Sequence, residues 1–256
     1  LTTFPEEERN KASEAMQLFK EANRMLDLLD KDYEVKTIFK LCKANSDEDN
    51  LVIEKEQDQY ITFPLLRQQT PKRDGSPFLC LSDFVRPSSS GIADTIGAFA
   101  ASIDADMEGL YEQDPYKHLL VQTLSDRLAE AATEKMHEYV RKEVWGYAKD
   151  ENLSIEDLLV EKYQGIRPAV GYPSLPDQSV NFLLDELLNM KQIGIKLTEN
   201  GAMYPHASVC GLMFAHPASE YFSIGKIGED QLQDYARRRG KSVEEMRKFL
   251  AVNLQD

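Results

Sequence analysis

The sequence contains few cysteines, and their placement argues against two kinds of protein. Cys42, Cys80 and Cys210 lie far apart, with no Cys-x-x-Cys spacing. An odd number of widely separated cysteines indicates neither a disulfide framework nor a zinc site, and it favours a reducing compartment. No apolar run approaches the roughly 18 to 20 residues of a membrane-spanning helix, and no secretory signal stands at the start of the chain. We therefore expect a cytoplasmic protein without a metal site.

Positive charge is scarce as well. The chain carries 30 lysines and arginines against 44 aspartates and glutamates, which gives a formal net charge of −14. An acidic surface repels the phosphates of nucleic acids and of anionic membranes. The one basic cluster, residues 237–239, lies near the end of a predicted helix, where cations suit the helix dipole. We expect neither a nucleic acid nor a membrane as partner.

Familiar catalytic motifs are also missing. The sequence has no GxxxxGK[ST] phosphate loop, no GxGxxG after a strand and no GxSxG nucleophile elbow. The four histidines show no HExxH or other metal-ligand spacing, and Ser208 beside His206 does not make a triad. No residue is therefore predicted to be catalytic, and what remains is a binding site.

Apolar periodicity divides the chain between helices and strands. The predicted helices cover residues 6–29, 116–149, 180–192, 228–239 and 243–252, with a short helix after Ser154. The predicted strands cover residues 36–45, 51–55, 59–63, 92–103, 195–198, 207–215 and 221–227. The first three strands form an antiparallel meander, and 92–103 is a central strand because its small residues permit close backbone approach. No linker is long enough to demand two domains, so we expect one.

The helix predicted over 116–149 has an apolar side and a charged side. Its apolar residues recur every four positions and should face the core: Leu120, Leu124, Leu128, Ala132, Met136 and Val140. Asp126 and Glu130 share another face with Arg127 beside them, and Glu134 and His137 continue that polar side. A solvated face with intrahelical ion pairs is the ordinary interpretation. Proximity to the segment described next would favour a functional one.

Residues 165–177, Gly-Ile-Arg-Pro-Ala-Val-Gly-Tyr-Pro-Ser-Leu-Pro-Asp, contain three prolines and two glycines. Proline fixes φ and lacks an amide donor, so this segment should be a stiff, irregular loop. Arg167 offers a planar fork for a carboxylate, Tyr172 offers an aromatic face, and Gly171 leaves the backbone bare beside them. The loop is either a small-molecule cradle or a structural loop rigidified for stability. The sequence leaves both interpretations open.

A fixed cation on this loop and a carboxylate on the long helix would suit one kind of ligand. A free amino acid carries a carboxylate and an ammonium group, and binding both requires one fixed charge of each sign. Carboxylates or aromatic faces nearby would also favour a sulfonium. The residues therefore favour an amino-acid-like ligand.

Residues 167–173 and 176–177 match a known pattern. Arg-Pro-Ala-Val-Gly-Tyr-Pro, continued by Pro-Asp, resembles the RPAxGYPxxPD signature of the C-terminal activation domain of cobalamin-dependent methionine synthase. Further blocks similar to this family follow in order at 66–69, 83–85, 125–131, 141–148, 196–199 and 216–217. Several independent blocks make the resemblance specific and extend it over nearly the whole chain.

The resemblance implies a fold and a function. The fold would be α+β, a twisted, mostly antiparallel sheet flanked by helices, in a single domain over residues 1–256. The domain would bind S-adenosylmethionine and support the reductive methylation of cob(II)alamin to methylcobalamin, with an electron from flavodoxin or a flavoprotein reductase. The cobalamin would be bound by another domain of the same polypeptide. The whole enzyme would be a 5-methyltetrahydrofolate–homocysteine methyltransferase, and the fragment alone is not expected to turn over.

The resemblance also assigns residues. The family's S-adenosylmethionine contacts fall on Glu130, Arg167, Ala169, Gly171, Tyr172 and Tyr221. Arg167 would take the ligand carboxylate, Glu130 its amino group, and the backbone of Ala169 and Gly171 would line it. Asp126, Arg127 and Tyr172 would contact the docked cobalamin domain.

Three departures from the family pattern are visible. Gln178 stands where the family often has histidine, and Val170 stands where it often has a second proline. Family domains also begin earlier, with an aromatic segment whose aspartate contacts the ligand, and no counterpart precedes Glu6. We therefore expect the N-terminal edge of the domain to be truncated.

Overall fold

Among the described residues, five antiparallel strands form the sheet on which the helices pack. The computed structural model describes residues 8–71 and 75–255. The strands are β1 (Val35–Asp47), β2 (Asn50–Glu56), β3 (Gln59–Pro64), β4 (Asp94–Ile103), β5 (Lys196–Leu197), β6 (Met203–Tyr204) and β7 (Ser208–Met213). The sheet has the order β3-β2-β1-β4-β7, and β5 pairs separately with β6. The predicted meander is confirmed, and β4 lies inside the sheet as predicted.

Strand β4 is buried along most of its length because helices cover both faces of the sheet. Small residues at Gly97, Ala98, Ala100 and Ala101 let these helices approach closely. Alternate β4 side chains enter opposite hydrophobic clusters, as the two-residue period of a strand requires. The fold is therefore α+β with a core on each side of one sheet, as expected.

In the described part of the chain, six α-helices surround the sheet. They are α1 (Arg9–Leu29), α2 (Pro115–Tyr139), α3 (Ile155–Leu159), α4 (Val180–Leu188), α5 (Glu229–Arg239) and α6 (Val243–Phe249). The first residues of the helix predicted from residue 6 lie outside the described residues. Helix α2 packs on one face of the sheet and α4 on the other. No helix in residues 8–71 and 75–255 is both long and apolar enough to cross a bilayer.

Local signals explain several helix ends. Asp114 caps α2, with Pro115 in the first helical position. Ser154 and Asp157 form the predicted capping box of α3. Gly240, with φ of +63°, ends α5 in the left-handed conformation.

The long predicted helix ends earlier than the periodicity indicates. Helix α2 stops at Tyr139 and continues as a wide π-type turn, Val140–Val144, before Gly146 turns the chain with φ of +72°. The turn is held by a buried ion pair, which Arg141 forms with Glu151 at 2.6 Å. A π-type turn of this kind is frequent near functional sites.

Two other predictions are wrong. His137 does not lie on a polar side of α2: it is fully buried, and its Nδ1 accepts a hydrogen bond from Arg141 at 2.8 Å. Residues 221–227 form no strand. They are held instead by contacts with other loops, including the Ile224 amide, which donates to the Pro173 carbonyl at 2.9 Å.

Candidate ligand-binding site

The segment 165–177 runs along the outer edge of β7. Backbone hydrogen bonds join Ile166 with Phe214 in both directions, at 3.0 and 2.9 Å, and the Leu212 amide donates to the Pro168 carbonyl at 3.1 Å. The Val170 amide donates to the Cys210 carbonyl at 2.9 Å. Proline has no amide to offer a sheet and is accepted at such an edge. The segment is therefore an irregular extra strand, held by the sheet at every other residue.

A glycine in β7 allows this close approach. A Cβ atom at Gly211 would lie 2.2 Å from the Pro168 carbonyl oxygen and 2.8 Å from the Cα atom of Ala169. Gly165, with φ of +89°, meets the same restriction, because a Cβ there would lie 2.3 Å from the Phe214 carbonyl oxygen. Gly171 differs: it has open space around it, and its φ of +87° shows that it serves the turn geometry.

The far end of the segment is fixed by a buried carboxylate. Asp177 is 1% exposed and accepts hydrogen bonds from the Tyr235 hydroxyl at 2.7 Å and from the Ser179 amide at 2.8 Å. Arg239 forms an ion pair with Asp177 at 3.4 Å. Because this network comes from α5 and the start of α4, the loop is anchored at both ends.

A cavity of about 570 Å³ lies between this segment, α2 and residues 221–223. Five of the six residues predicted to contact the ligand line it: Glu130, Arg167, Ala169, Tyr172 and Tyr221. Gly171 is not among the described residues that line the cavity, although it adjoins Tyr172. The structure thus brings Arg167 and Glu130 to one hollow, and their roles toward a ligand stay predictions.

Arg167 forms an ion pair within the protein. Its Nη2 atom donates a short hydrogen bond to Oε2 of Glu134, one turn beyond Glu130 on α2. Its backbone amide donates to the hydroxyl of Tyr221 at 2.9 Å. Burial by itself lowers the pKa of the Arg167 guanidinium, but Glu134 and the nearby tyrosines outweigh it and raise the pKa. Arg167 is thus a permanent cation in the cavity wall.

Glu130 is held more loosely. Its Oε2 accepts a hydrogen bond from Arg127 at 2.6 Å, and the two side chains are 45% and 68% exposed. An exposed ion pair of this kind contributes little to stability. The carboxylate of Glu130 can therefore exchange Arg127 for a cationic ligand group at small cost.

Beneath the cavity lies a buried layer of aromatic and basic groups. The Tyr163 hydroxyl lies 3.4 Å from that of Tyr221, and the Arg141 guanidinium lies 4.2 Å from the centre of the Tyr163 ring. Burial, and then the charges of Arg141 and Arg167, lower the pKa of His137 well below its usual value. His137 is therefore a neutral structural group under the site.

Sequence reasoning missed several residues of the cavity wall, among them Thr133, Glu161, Ser174, Phe222 and Ser223. Glu161 has φ of +57°, which is uncommon for a residue other than glycine. Burial raises the pKa of its carboxyl, partly offset by the charge of Arg167. A Glu-Lys-Tyr stretch has no local signal for this conformation, so only the folded chain reveals it.

The residues predicted to contact a cobalamin domain do not all line one hollow. Tyr172 is 53% exposed at the cavity. Arg127 is exposed on α2, and Asp126 lines a separate hollow of about 520 Å³ beside His118 and His206. Their contact with another domain stays a prediction.

These features define a class of protein: an α+β domain with a cavity between one helix and the edge of an antiparallel sheet. Residues 3–240 match the family model described as vitamin B12 dependent methionine synthase, activation domain. The chain belongs to this family.

A solved structure agrees with this assignment. The crystal structure of the MetH reactivation domain bound to AdoHcy superposes with a TM-score of 0.90 at 45% sequence identity. The match covers 95% of this chain and 78% of that one. The resemblance of the sequence and the α+β fold are both confirmed by this agreement.

Proposed function

We propose that this domain binds S-adenosylmethionine in the cavity between α2 and the segment 165–177. The observation that carries the proposal is the meeting of Arg167 and Glu130 in one hollow, which offers a fixed charge of each sign. The related reactivation domain was solved with AdoHcy, which differs from S-adenosylmethionine by a methyl group and a charge. The cavity volume of about 570 Å³ lies within the usual range of small-molecule sites, about 300–1,000 Å³.

The residues of the cavity suit each end of such a ligand. Arg167 donates to the ligand carboxylate through the guanidinium edge that Glu134 leaves free. Glu130 accepts from the ligand ammonium in place of Arg127. Glu161 would be kept ionised by a sulfonium nearby, because a cation opposes the effect of burial on its pKa. Tyr172 and Tyr221 provide aromatic faces, which attract cations.

We further propose that the domain supports reductive methylation of a cobalamin held by another domain of the same polypeptide. S-Adenosylmethionine supplies an activated methyl group when bound, and the electron comes from flavodoxin or a flavoprotein reductase. The exposed position of Tyr172 at the cavity favours a docking face there. The cavity residues of this chain hold the ligand and take no part in making or breaking bonds.

Titration calorimetry tests the binding step. The domain should bind S-adenosylmethionine and S-adenosylhomocysteine with one ligand per chain, and adenosine much more weakly because it lacks both charged groups. Absence of heat with all three ligands, at ligand concentrations up to the millimolar range, would contradict the proposal.

Absorbance spectroscopy tests the reaction. Mixing the domain with the matching cobalamin domain, a flavodoxin system and S-adenosylmethionine should convert cob(II)alamin to methylcobalamin. The Arg167→Ala variant should slow this conversion at limiting ligand. Equal rates with and without the domain would refute a role in reactivation, whatever the calorimetry shows.

A further inference from the structure

Glu134 occupies a special place on α2. It lies one helical turn after Glu130 and was predicted to continue a polar, solvated side. Instead its side chain is only 25% exposed and forms an ion pair with Arg167, whose side chain is 21% exposed. Among the described residues that line the cavity, Arg167 appears and Glu134 does not. Glu134 therefore contacts the arginine without lining the cavity.

The contact between the two side chains is a single hydrogen bond. Nη2 of Arg167 donates to Oε2 of Glu134, while Oε1 of Glu134 and Nε of Arg167 are buried without partners in the described part of the chain. Nη1 of Arg167 is not among these buried atoms, and no described residue accepts from it. The carboxylate thus holds one corner of the guanidinium and leaves Nη1 without an acceptor among the described residues.

This arrangement fixes a flexible side chain before any ligand arrives. Arginine loses considerable rotamer freedom when it is immobilised, and a side chain already fixed does not lose it again on binding. The backbone of Arg167 is fixed as well, since its amide donates to Tyr221. With both backbone and guanidinium held, the position of the free Nη1 edge is set by the protein.

We propose that Glu134 is a positioning residue that orients Arg167 toward the carboxylate of an amino-acid ligand and does not itself touch the ligand. This inference rests on the proposed function, because it concerns the same cavity. On this proposal, the ion pair Glu134–Arg167 selects a ligand carboxylate. Without Glu134, Arg167 would be a mobile cation.

The test compares two substitutions at Glu134 with a control on the same helix. Glu134→Ala removes the hydrogen-bond acceptor, whereas Glu134→Gln keeps an acceptor oxygen for Arg167, removes the charge and puts an amide NH2 group in place of the other oxygen. Glu138→Ala is the control, since Glu138 forms ion pairs with Lys135 and Lys142 one turn further along α2, away from the cavity wall. Thermal unfolding establishes that each variant is folded before binding is measured.

Calorimetry is carried out with S-adenosylmethionine and with decarboxylated S-adenosylmethionine, which lacks only the carboxylate. For S-adenosylmethionine, Glu134→Ala should raise Kd at least about tenfold, the equivalent of one charge-assisted hydrogen bond. Glu134→Gln should stay within about threefold, because an amide oxygen still accepts from Arg167. For the decarboxylated ligand, all variants should have the Kd of the wild type, because this ligand has no carboxylate for Arg167 to bind.

Other outcomes overturn the inference. Equal weakening by Glu134→Ala and Glu134→Gln would mean that binding requires the charge of Glu134 and that the hydrogen bond to Arg167 does not account for the effect. Equal weakening for both ligands would mean that the substitution disturbs the whole cavity. A wild-type domain that binds neither ligand would overturn the proposed function itself, which distinguishes the two failures.

A double-mutant cycle gives an independent measurement with S-adenosylmethionine alone. If Glu134 acts through Arg167, then Glu134→Ala should have no further effect in the Arg167→Ala background, beyond about twofold. Additive losses in the double variant would show that the two residues act separately and would refute the positioning role.

Discussion

The segment 165–177 and the cavity-facing side of α2 are held in place by different kinds of interaction. The segment is bonded through its backbone to β7 and anchored by the buried Asp177. The helix side presents carboxylates whose contacts are made by side chains alone, and Glu130 in particular is paired with an exposed arginine. One wall of the cavity is therefore rigid and costly to alter, while the other can exchange partners when a ligand enters.

The largest effect should come from breaking the anchor of the rigid wall. Asp177→Ala leaves Arg239, whose side chain is 4% exposed, without its buried counter-ion. We expect a loss of about 3–5 kcal/mol in the free energy of unfolding, typical of a buried pair that loses one partner. Denaturation by urea measures it, with the midpoint compared at constant slope.

Glu229→Gln is the matched control for Asp177→Ala. Its ion pair with Arg247 joins two side chains that are 51% and 49% exposed, so its loss should cost far less than the loss of the buried pair. Similar losses in the two variants would show that the segment is anchored no more firmly than a surface pair.

The second effect tests the close approach of the segment to the sheet. Gly211→Ala places a Cβ 2.2 Å from a backbone oxygen of Pro168, and backbone atoms cannot move aside as a side chain can. We expect a destabilisation of about 3 kcal/mol, at the upper end of overpacking costs, together with weaker ligand binding by calorimetry. Gly109→Ala is the control, because its nearest neighbour is a side-chain oxygen at 3.7 Å. A Gly211→Ala variant with wild-type stability and affinity would mean that the segment shifts freely.

The rigid wall was largely predictable from the sequence, and the reasons are local. Proline and glycine restrict the backbone whatever surrounds them, so the irregular course of residues 165–177 follows from composition. The meander β1–β3 follows from alternation, and the start of α3 from the capping box at Ser154. Each of these signals acts within a few residues of the structure it specifies.

Features that depend on residues distant in sequence were not predictable by the same means, on either side of the cavity. Glu134 pairs with Arg167, which the fold brings close to it. His137 is bonded to Arg141, which the π-type turn after α2 places beside it. The role of Gly211 depends on a neighbour more than 40 positions away, and a lone glycine in a strand does not reveal it. Residues 221–227 alternate like a strand, but their backbone groups form hydrogen bonds with the Pro173 carbonyl and the Gln68 side chain instead of with another strand. Only the family resemblance indicated that Glu130 meets the segment.

The third prediction concerns the cation that the rigid wall presents. Arg167→Ala should weaken S-adenosylmethionine binding by about 1.5–3 kcal/mol, the range of a hydrogen bond to a charged group. Arg167→Lys should also bind S-adenosylmethionine weakly, since an ammonium cannot bond to Glu134 and to a ligand carboxylate with the planar geometry of a guanidinium. Calorimetry measures both, with the exposed Arg247→Ala as control. Unchanged affinity in Arg167→Ala would exclude its carboxylate role.

The smallest effect on affinity should come from a substitution on the cavity-facing side of α2. Glu130→Gln removes a charge from a carboxylate that is 45% exposed but keeps an acceptor oxygen. We expect the affinity for S-adenosylmethionine to fall by about 0.5–1.5 kcal/mol, with the thermal unfolding midpoint nearly unchanged because the pair with Arg127 is exposed. Glu138→Gln, on the same helix, should leave both quantities as they are. Global unfolding of Glu130→Gln would instead identify Glu130 as a structural residue, and the two walls would then no longer differ in kind.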